Sequence, residues 1–321
     1  MSEVTEPGLP QTDRSTRLLV CGILIVMAGV GLLALVPLMW LALQLAPEQV
    51  HGNSIWMAVV FYSLLGMICI ALGVGSIRCR RWARDLILAG ASFWLALGIP
   101  GCVFSSVVIT QTLPGSMGAT GAEVSSVFVT TTILFTMAFY VVLFIAVPLG
   151  LVLLYRGEPV LHTCHRNSGN SGWTTHLSIP QLVCVLICSL IFVYALFLPL
   201  FMPVVMVWNQ VITGMPAILT LIVLAGLFGY ATWGLYHQQT AGWWVGLVGV
   251  LLLSLNYGLA FYVGDMREFY QALEFPEEQI GMIEQSGTLG MMRHLWVSMV
   301  CYLAVVLAFF WKARPAHPAA G

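Results

Sequence analysis

Long apolar runs separated by short polar breaks fill almost the whole chain. A helix that crosses a bilayer needs about 20 apolar residues, because each unpaired backbone amide in hydrocarbon costs several kcal/mol. Eight runs meet that length and predict helices at residues 17–45, 55–77, 85–110, 126–155, 180–207, 216–236, 242–263 and 295–311. The predicted fold class is an all-α integral membrane protein, a polytopic bundle of about eight transmembrane helices. Within the polar interval 265–287, Met266, Phe269, Tyr270 and Leu273 recur at helical spacing until Pro276 interrupts them. That predicts a short amphipathic helix over 265–274 and a second beginning near Pro276, with Glu277 and Glu278 favourably placed at its positive end. Their apolar faces are expected to rest on the outer ends of spans seven and eight or on the membrane interface.

The connection 156–179, rich in Gly, Ser, Asn and His, divides the chain into two four-span halves, 17–155 and 180–311, with tails at 1–16 and 312–321. The pairs Pro37/Pro199 and Trp82/Trp244 are each separated by 162 positions, with Leu38/Leu200 and Ser92/Ser254 among few further identities at that offset. A parallel duplication of the transporter kind and two similar stacks of hydrophobic helices both stay open. Pro37, Pro100, Pro148, Pro199 and Pro203 fall inside predicted spans, where each removes a backbone donor and bends or interrupts the helix. Pro199 and Pro203 free two nearby carbonyls, which either line a cavity or are packed by neighbouring helices. Gly242-x3-Gly246 and Ala225-x3-Gly229 offer close helix contacts.

Composition adds exclusions. Of 321 residues, 60% are hydrophobic and 8% charged, against about 25% charged in a soluble domain, so a water-soluble globule is excluded. Twelve Lys+Arg against 13 Asp+Glu give a net charge of -1 and no basic surface for nucleic acid. The eight cysteines are scattered rather than spaced as a disulfide framework and are expected as free thiols. The 28-residue apolar run after Arg17 lacks a small-x-small cleavage site and reads as a signal anchor.

Charge also orients the spans. With the N-terminus inside, ten basic residues (Arg14, Arg17, Arg78, Arg80, Arg81, Arg84, Arg156, Arg166, Lys312 and Arg314) lie on the cytoplasmic side and two, Arg267 and Arg293, outside. Trp56, Trp208 and Trp296 then mark outer edges, and Trp82, Trp173, Trp243, Trp244 and Trp311 inner ones. Residues 167–264 hold no charged side chain in 98 positions, so length and parity alone require three crossings there. The expected location is a bacterial inner membrane with both termini cytoplasmic.

No Asp, Glu, Lys or Arg lies near the middle of a predicted span, where proton relays, ion sites and voltage sensors carry one. Proton- or sodium-coupled transport is therefore disfavoured. All seven histidines fall in loops, tails or span edges, against a buried bis-His haem. His162, Cys164, His165 and His176 form the one cluster of metal-ligand types, and their irregular spacing offers no preorganised tetrahedral site. Nucleotide-binding, nucleophile-elbow and zinc-protease signatures are absent. No catalytic residue, metal, cofactor or enzymatic activity is expected.

Three sets of residues carry what function is legible. Thr132, Thr136 and Tyr140 align on one face of span four, while Asn256 and Tyr257 lie past the middle of span seven. These either line a path for a neutral or amphipathic solute or make structural hydrogen bonds. Arg78, Arg80, Arg81 and Arg84 surround Trp82 on an inner turn, a topology anchor and a candidate contact for anionic lipid. Asp265, Glu268, Glu274, Glu277, Glu278 and Glu284 against Arg267 give segment 265–287 a charge of -5. Those acids either gather cations or a basic partner, or solubilise an outer loop. The expected function is a non-enzymatic subunit or scaffold of a membrane complex. Its partners would be the lipid bilayer and other membrane proteins or further copies of itself. The alternative is a permease or flippase-like carrier of a neutral or hydrophobic compound. A membrane enzyme acting on lipids lacks a nucleophile, base or metal constellation.

Overall fold

The computed structural model describes residues 15–45, 52–119, 126–158, 160–161, 163–164, 173–263, 266–273, 275–285 and 295–315. Its helices are α1 (Ser15–Leu45), α2 (Gly52–Ile77), α3 (Arg81–Ala119), α4 (Ser126–Val141), α5 (Val147–Arg156) and α6 (Ile179–Phe201). A hairpin of β1 (Val204–Val207) and β2 (Gln210–Thr213) follows. Then come α7 (Met215–Tyr236), α8 (Thr240–Val263), α9 (Met266–Ala272), α10 (Glu277–Gln285) and α11 (Leu295–Lys312). The protein is an all-α, polytopic integral membrane protein with one small hairpin among the described residues.

Seven helical stretches among the described residues are long and apolar enough to cross a membrane, counting α4 to α5 as one. Eight were predicted from the sequence, and α11 makes the difference. Its 18 residues span about 27 Å at 1.5 Å each, slightly less than the ~30 Å of hydrocarbon in a bilayer.

The described residues group into two compact units, one from 1–87 and 153–175, the other from 88–152 and 176–321. This grouping does not follow the two four-span halves read from the sequence.

In the first unit α1 and α2 run antiparallel, with Gly22 opposite Gly73 and Gly29 opposite Gly66. A Cβ at position 73 would lie 2.7 Å from the Gly22 oxygen, and one at 66 would lie 2.9 Å from the Gly29 oxygen. Bare glycine backbones are what allow the two helices to approach so closely. On each helix the two glycines stand seven residues, about two turns, apart rather than four.

In the second unit α6 packs on α7, α7 on α8, and α11 against both α6 and α8. Cys184, Cys188, Phe228, Trp243 and Phe310 are buried there, and the Trp243 indole donates to the Phe310 carbonyl at 2.9 Å. Between α4 and α5 the chain widens into a π turn at Val142–Ala146, with the Val147 amide donating to the Val142 carbonyl. Pro148 explains the irregularity: it has no N–H for the carbonyl of Phe144, four residues back, and its ring crowds that carbonyl. Gly98 on α3 faces the same oxygen, and a Cβ there would collide with it.

Span five ends earlier than predicted. From the sequence it runs to residue 207, but α6 stops at Phe201 and 204–207 form strand β1. Pro203 cannot donate to the Pro199 carbonyl, so the helix closes with the Met202 amide on the Leu198 carbonyl at 2.9 Å. The following Val-Val-Met-Val run suits an extended strand. Strand register pairs Val204 with Thr213 and Val207 with Gln210. Gly214, at φ +67°, donates to the Pro203 carbonyl at 3.0 Å. That left-handed conformation suits glycine, and Pro216 then starts α7 from a favourable first-turn position.

Candidate functional site

The hairpin explains Asn256. In a hairpin with a two-residue turn, alternate residues turn their backbone groups away from the partner strand. Here the Met206 carbonyl accepts from Asn256 Nδ2 at 2.9 Å, and the Trp208 amide donates to Asn256 Oδ1 at 2.6 Å. One side-chain amide on α8 thus continues the ladder as a third strand would. It also holds Trp208 in a left-handed turn conformation, φ +58°, that bulky residues rarely adopt. Trp208 itself is exposed, as an interfacial indole would be.

The Thr132, Thr136 and Tyr140 face of α4 is half-buried, while Phe135 and Phe139 beside it are exposed. Thr132 donates back to the Phe128 carbonyl of its own helix at 2.9 Å, and Thr131 does the same to Val127 at 2.7 Å. Tyr140 stacks on Phe144 with ring centres 5.5 Å apart, and its carbonyl accepts from the Cys102 thiol at 3.7 Å. Tyr257 lines a small apolar cavity of about 260 Å³ with Leu190, Tyr194 and Leu253. A larger apolar cleft of about 580 Å³ lies between α8 and α11, lined by Leu251, Leu255, Leu259, Met299 and Leu303, with Ser254 and Tyr262 at its wall.

The arginine turn divides by depth. Arg78 and Arg80 are exposed and Arg81 is half-buried, but Arg84 is only 8% exposed and its neighbour Asp85 7%. Arg84 donates to the Asp85 carboxylate at 3.0 Å and to the Tyr155 carbonyl at 3.1 Å. Asp85 also accepts from Thr174 at 2.9 Å, and Arg81 approaches it at 3.8 Å. Next to this pair, the Ser76 hydroxyl donates to the Leu18 carbonyl at 3.3 Å and shares a 2.5 Å hydrogen bond with the Tyr155 hydroxyl. Burying an ion pair carries a desolvation cost, and here the Tyr155 carbonyl and the Thr174 hydroxyl add hydrogen bonds that offset it. These bonds join α1, α2, α3, α5 and residue 174 into one polar knot.

Of the four His and Cys residues clustered around 162–176, where no metal is expected, His162 and His165 lie outside the described residues. Cys164 is buried beside the knot, and burial, with Cys79 nearby, pushes its thiol up to about 11. The His176 ring lies within 3.1 Å of the Tyr236 carbonyl, and its own carbonyl accepts from Gln238.

The outer segment forms two short helices, α9 and α10, separated at Pro276. Arg267 pairs with Glu277 at 3.1 Å and Glu284 at 3.5 Å, and Gln271 donates to Glu277 at 2.9 Å. The Gln271 bond, then Arg267, holds the Glu277 carboxyl below its usual range. Tyr270 packs edge-on against Phe275 and Ile280 is buried. The sequence expects the apolar faces on the outer ends of spans seven and eight or on the membrane interface; α9 neighbours strand β2. Glu268 and Glu278 are exposed, and Asp265 and Glu274 lie outside the described residues.

Sequence reasoning missed the hairpin, the Asn256 clamp and the partners of Arg84. The Pro203 break before a β-branched run was the available sign of the hairpin. Comparisons with known protein families, with curated proteins and with solved structures find no match for this chain.

Proposed function

We propose that this integral membrane protein is a non-enzymatic subunit or scaffold of a membrane complex, resident in a bacterial inner membrane with both termini cytoplasmic. The observation that carries the reading is how polar side chains within the spans are engaged. Asn256 fastens the hairpin, and Thr131, Thr132, Thr220 and Thr232 bond carbonyls of their own helices. A carrier of polar solutes keeps such groups available along its path; here they serve internal structure. The ten-to-two bias of basic residues supports the orientation, with α11 as the crossing that returns Lys312 and Arg314 to the inner side.

Extraction in mild detergent, affinity purification and protein identification test this. The expected result is one or more membrane proteins retained in fixed stoichiometry. A lone chain that retains a small molecule, and moves it across proteoliposomes, would displace the reading. The apolar cleft between α8 and α11 favours a second reading, a carrier of a hydrophobic compound, which the same proteoliposomes distinguish.

A further inference from the structure

The polar knot of the first unit also gathers charge. Leu18, Ser76 and Tyr155, whose groups meet at 3.3 and 2.5 Å, stand within two residues of Arg17, Arg78 and Arg156 respectively. Arg80 belongs to the same turn, its amide donating to the Gly75 carbonyl at 2.8 Å. The start of α1 and the ends of α2 and α5 carry these side chains, so they share one membrane face. All four are exposed, and among the described residues none forms an ion pair. Arg84 points inward to Asp85 and Tyr155, and Arg81 leans toward Asp85. The contiguous run Arg78–Arg84 therefore supplies two outward charges, and α1 and α5 supply two more.

We propose that Arg17, Arg78, Arg80 and Arg156 form one composite site for the phosphate of anionic phospholipid headgroups. Guanidinium forks match phosphate oxygens in pairs, and hydrogen bonds already fix the helix ends that present them. Trp82 packs on Gly75, where a Cβ would lie 3.0 Å from its ring. This sets an indole next to the arginines, at the depth where indoles meet headgroups.

The test incubates delipidated full-length protein with mixed micelles of phosphatidylglycerol and phosphatidylcholine and measures retained lipid by native mass spectrometry. Phosphatidylglycerol should be enriched, falling by roughly fivefold per arginine replaced on going to Arg17→Gln/Arg156→Gln and then to the quadruple Gln variant. A quadruple Lys variant, which keeps the charge but not the paired fork, should fall between the native protein and the quadruple Gln variant, and it decides the question together with the double variant if the quadruple Gln variant does not fold. Equal retention of phosphatidylcholine would overturn the proposal. So would undiminished enrichment in Arg17→Gln/Arg156→Gln, since the site would then not be composite. Displacement of the lipid by millimolar inorganic phosphate would show a general anion site and overturn the assignment to lipid.

Discussion

At the residue scale, Asn256, Thr132 and Arg84, polar side chains that stand out in a hydrophobic chain, are committed to internal partners. Asn256 closes both of its hydrogen-bonding ends on the hairpin, so Asn256→Leu leaves a carbonyl and an amide without partners. That should cost about 1–3 kcal/mol, read as a lower midpoint of thermal unfolding in detergent together with faster amide exchange at 204–213. An unchanged midpoint and exchange would contradict the clamp. Arg84 and Asp85 act as a buried pair, so Arg84→Leu alone should lose about 3–5 kcal/mol, and the double replacement Arg84→Leu/Asp85→Leu distinctly less. Additive losses in that double-mutant cycle would show that the two do not act as a pair. Cys164 adds a pH dependence. Its thiol rises from an ordinary 9.0 to about 11 through burial, so its contribution to stability is complete below pH 9 and is lost as pH climbs toward 11. At pH 8 it should resist maleimide in the folded protein and react once unfolded; rapid labelling of the folded protein would refute the burial.

At the scale of elements, α9 and α10 are held together by Arg267 bridging Glu277 and Glu284. The Glu277 carboxyl titrates below its ordinary 4.5, so its part in this tether is present above pH 4.5 and is lost as acid protonates it. The protection of amides over 266–285, taken relative to their intrinsic exchange rates at each pH, should therefore fall between pH 5 and 3, and Arg267→Gln should produce that looseness already at neutral pH. Exchange unaffected by either change would remove the tether. These two helices were legible in the sequence because apolar spacing and a proline set their limits. The spans were legible for a stronger reason: hydrocarbon leaves a 20-residue apolar run essentially one backbone solution. Thus α1, α2, α7 and α8 begin and end within three residues of their predicted limits, whereas α3 runs on to Ala119. The hairpin was hidden because hydropathy does not distinguish the last turn of a span from a short strand of the same residues. The Asn256 clamp and the Arg84 bond to Tyr155 were hidden because those partners lie 48 to 71 positions away, beyond any local pattern.

At the scale of the whole molecule, the chain is a set of membrane-spanning helices whose sides are unequally covered. Only 6% of the apolar window in Thr130–Arg156 is buried, against 39% in Ile179–Phe201. Leu134, Phe135 and Phe139 stand exposed on α4. Lipid satisfies such a surface without any partner, so a subunit role requires that another protein meet the chain within the membrane. A photo-reactive amino acid placed at Phe135 in native membranes tests this most directly. A subunit should give one discrete protein adduct in high yield, absent when the same group replaces buried Phe228. Adducts to lipid alone, at Phe135 and at further exposed positions on α1 and α6, would contradict the assignment.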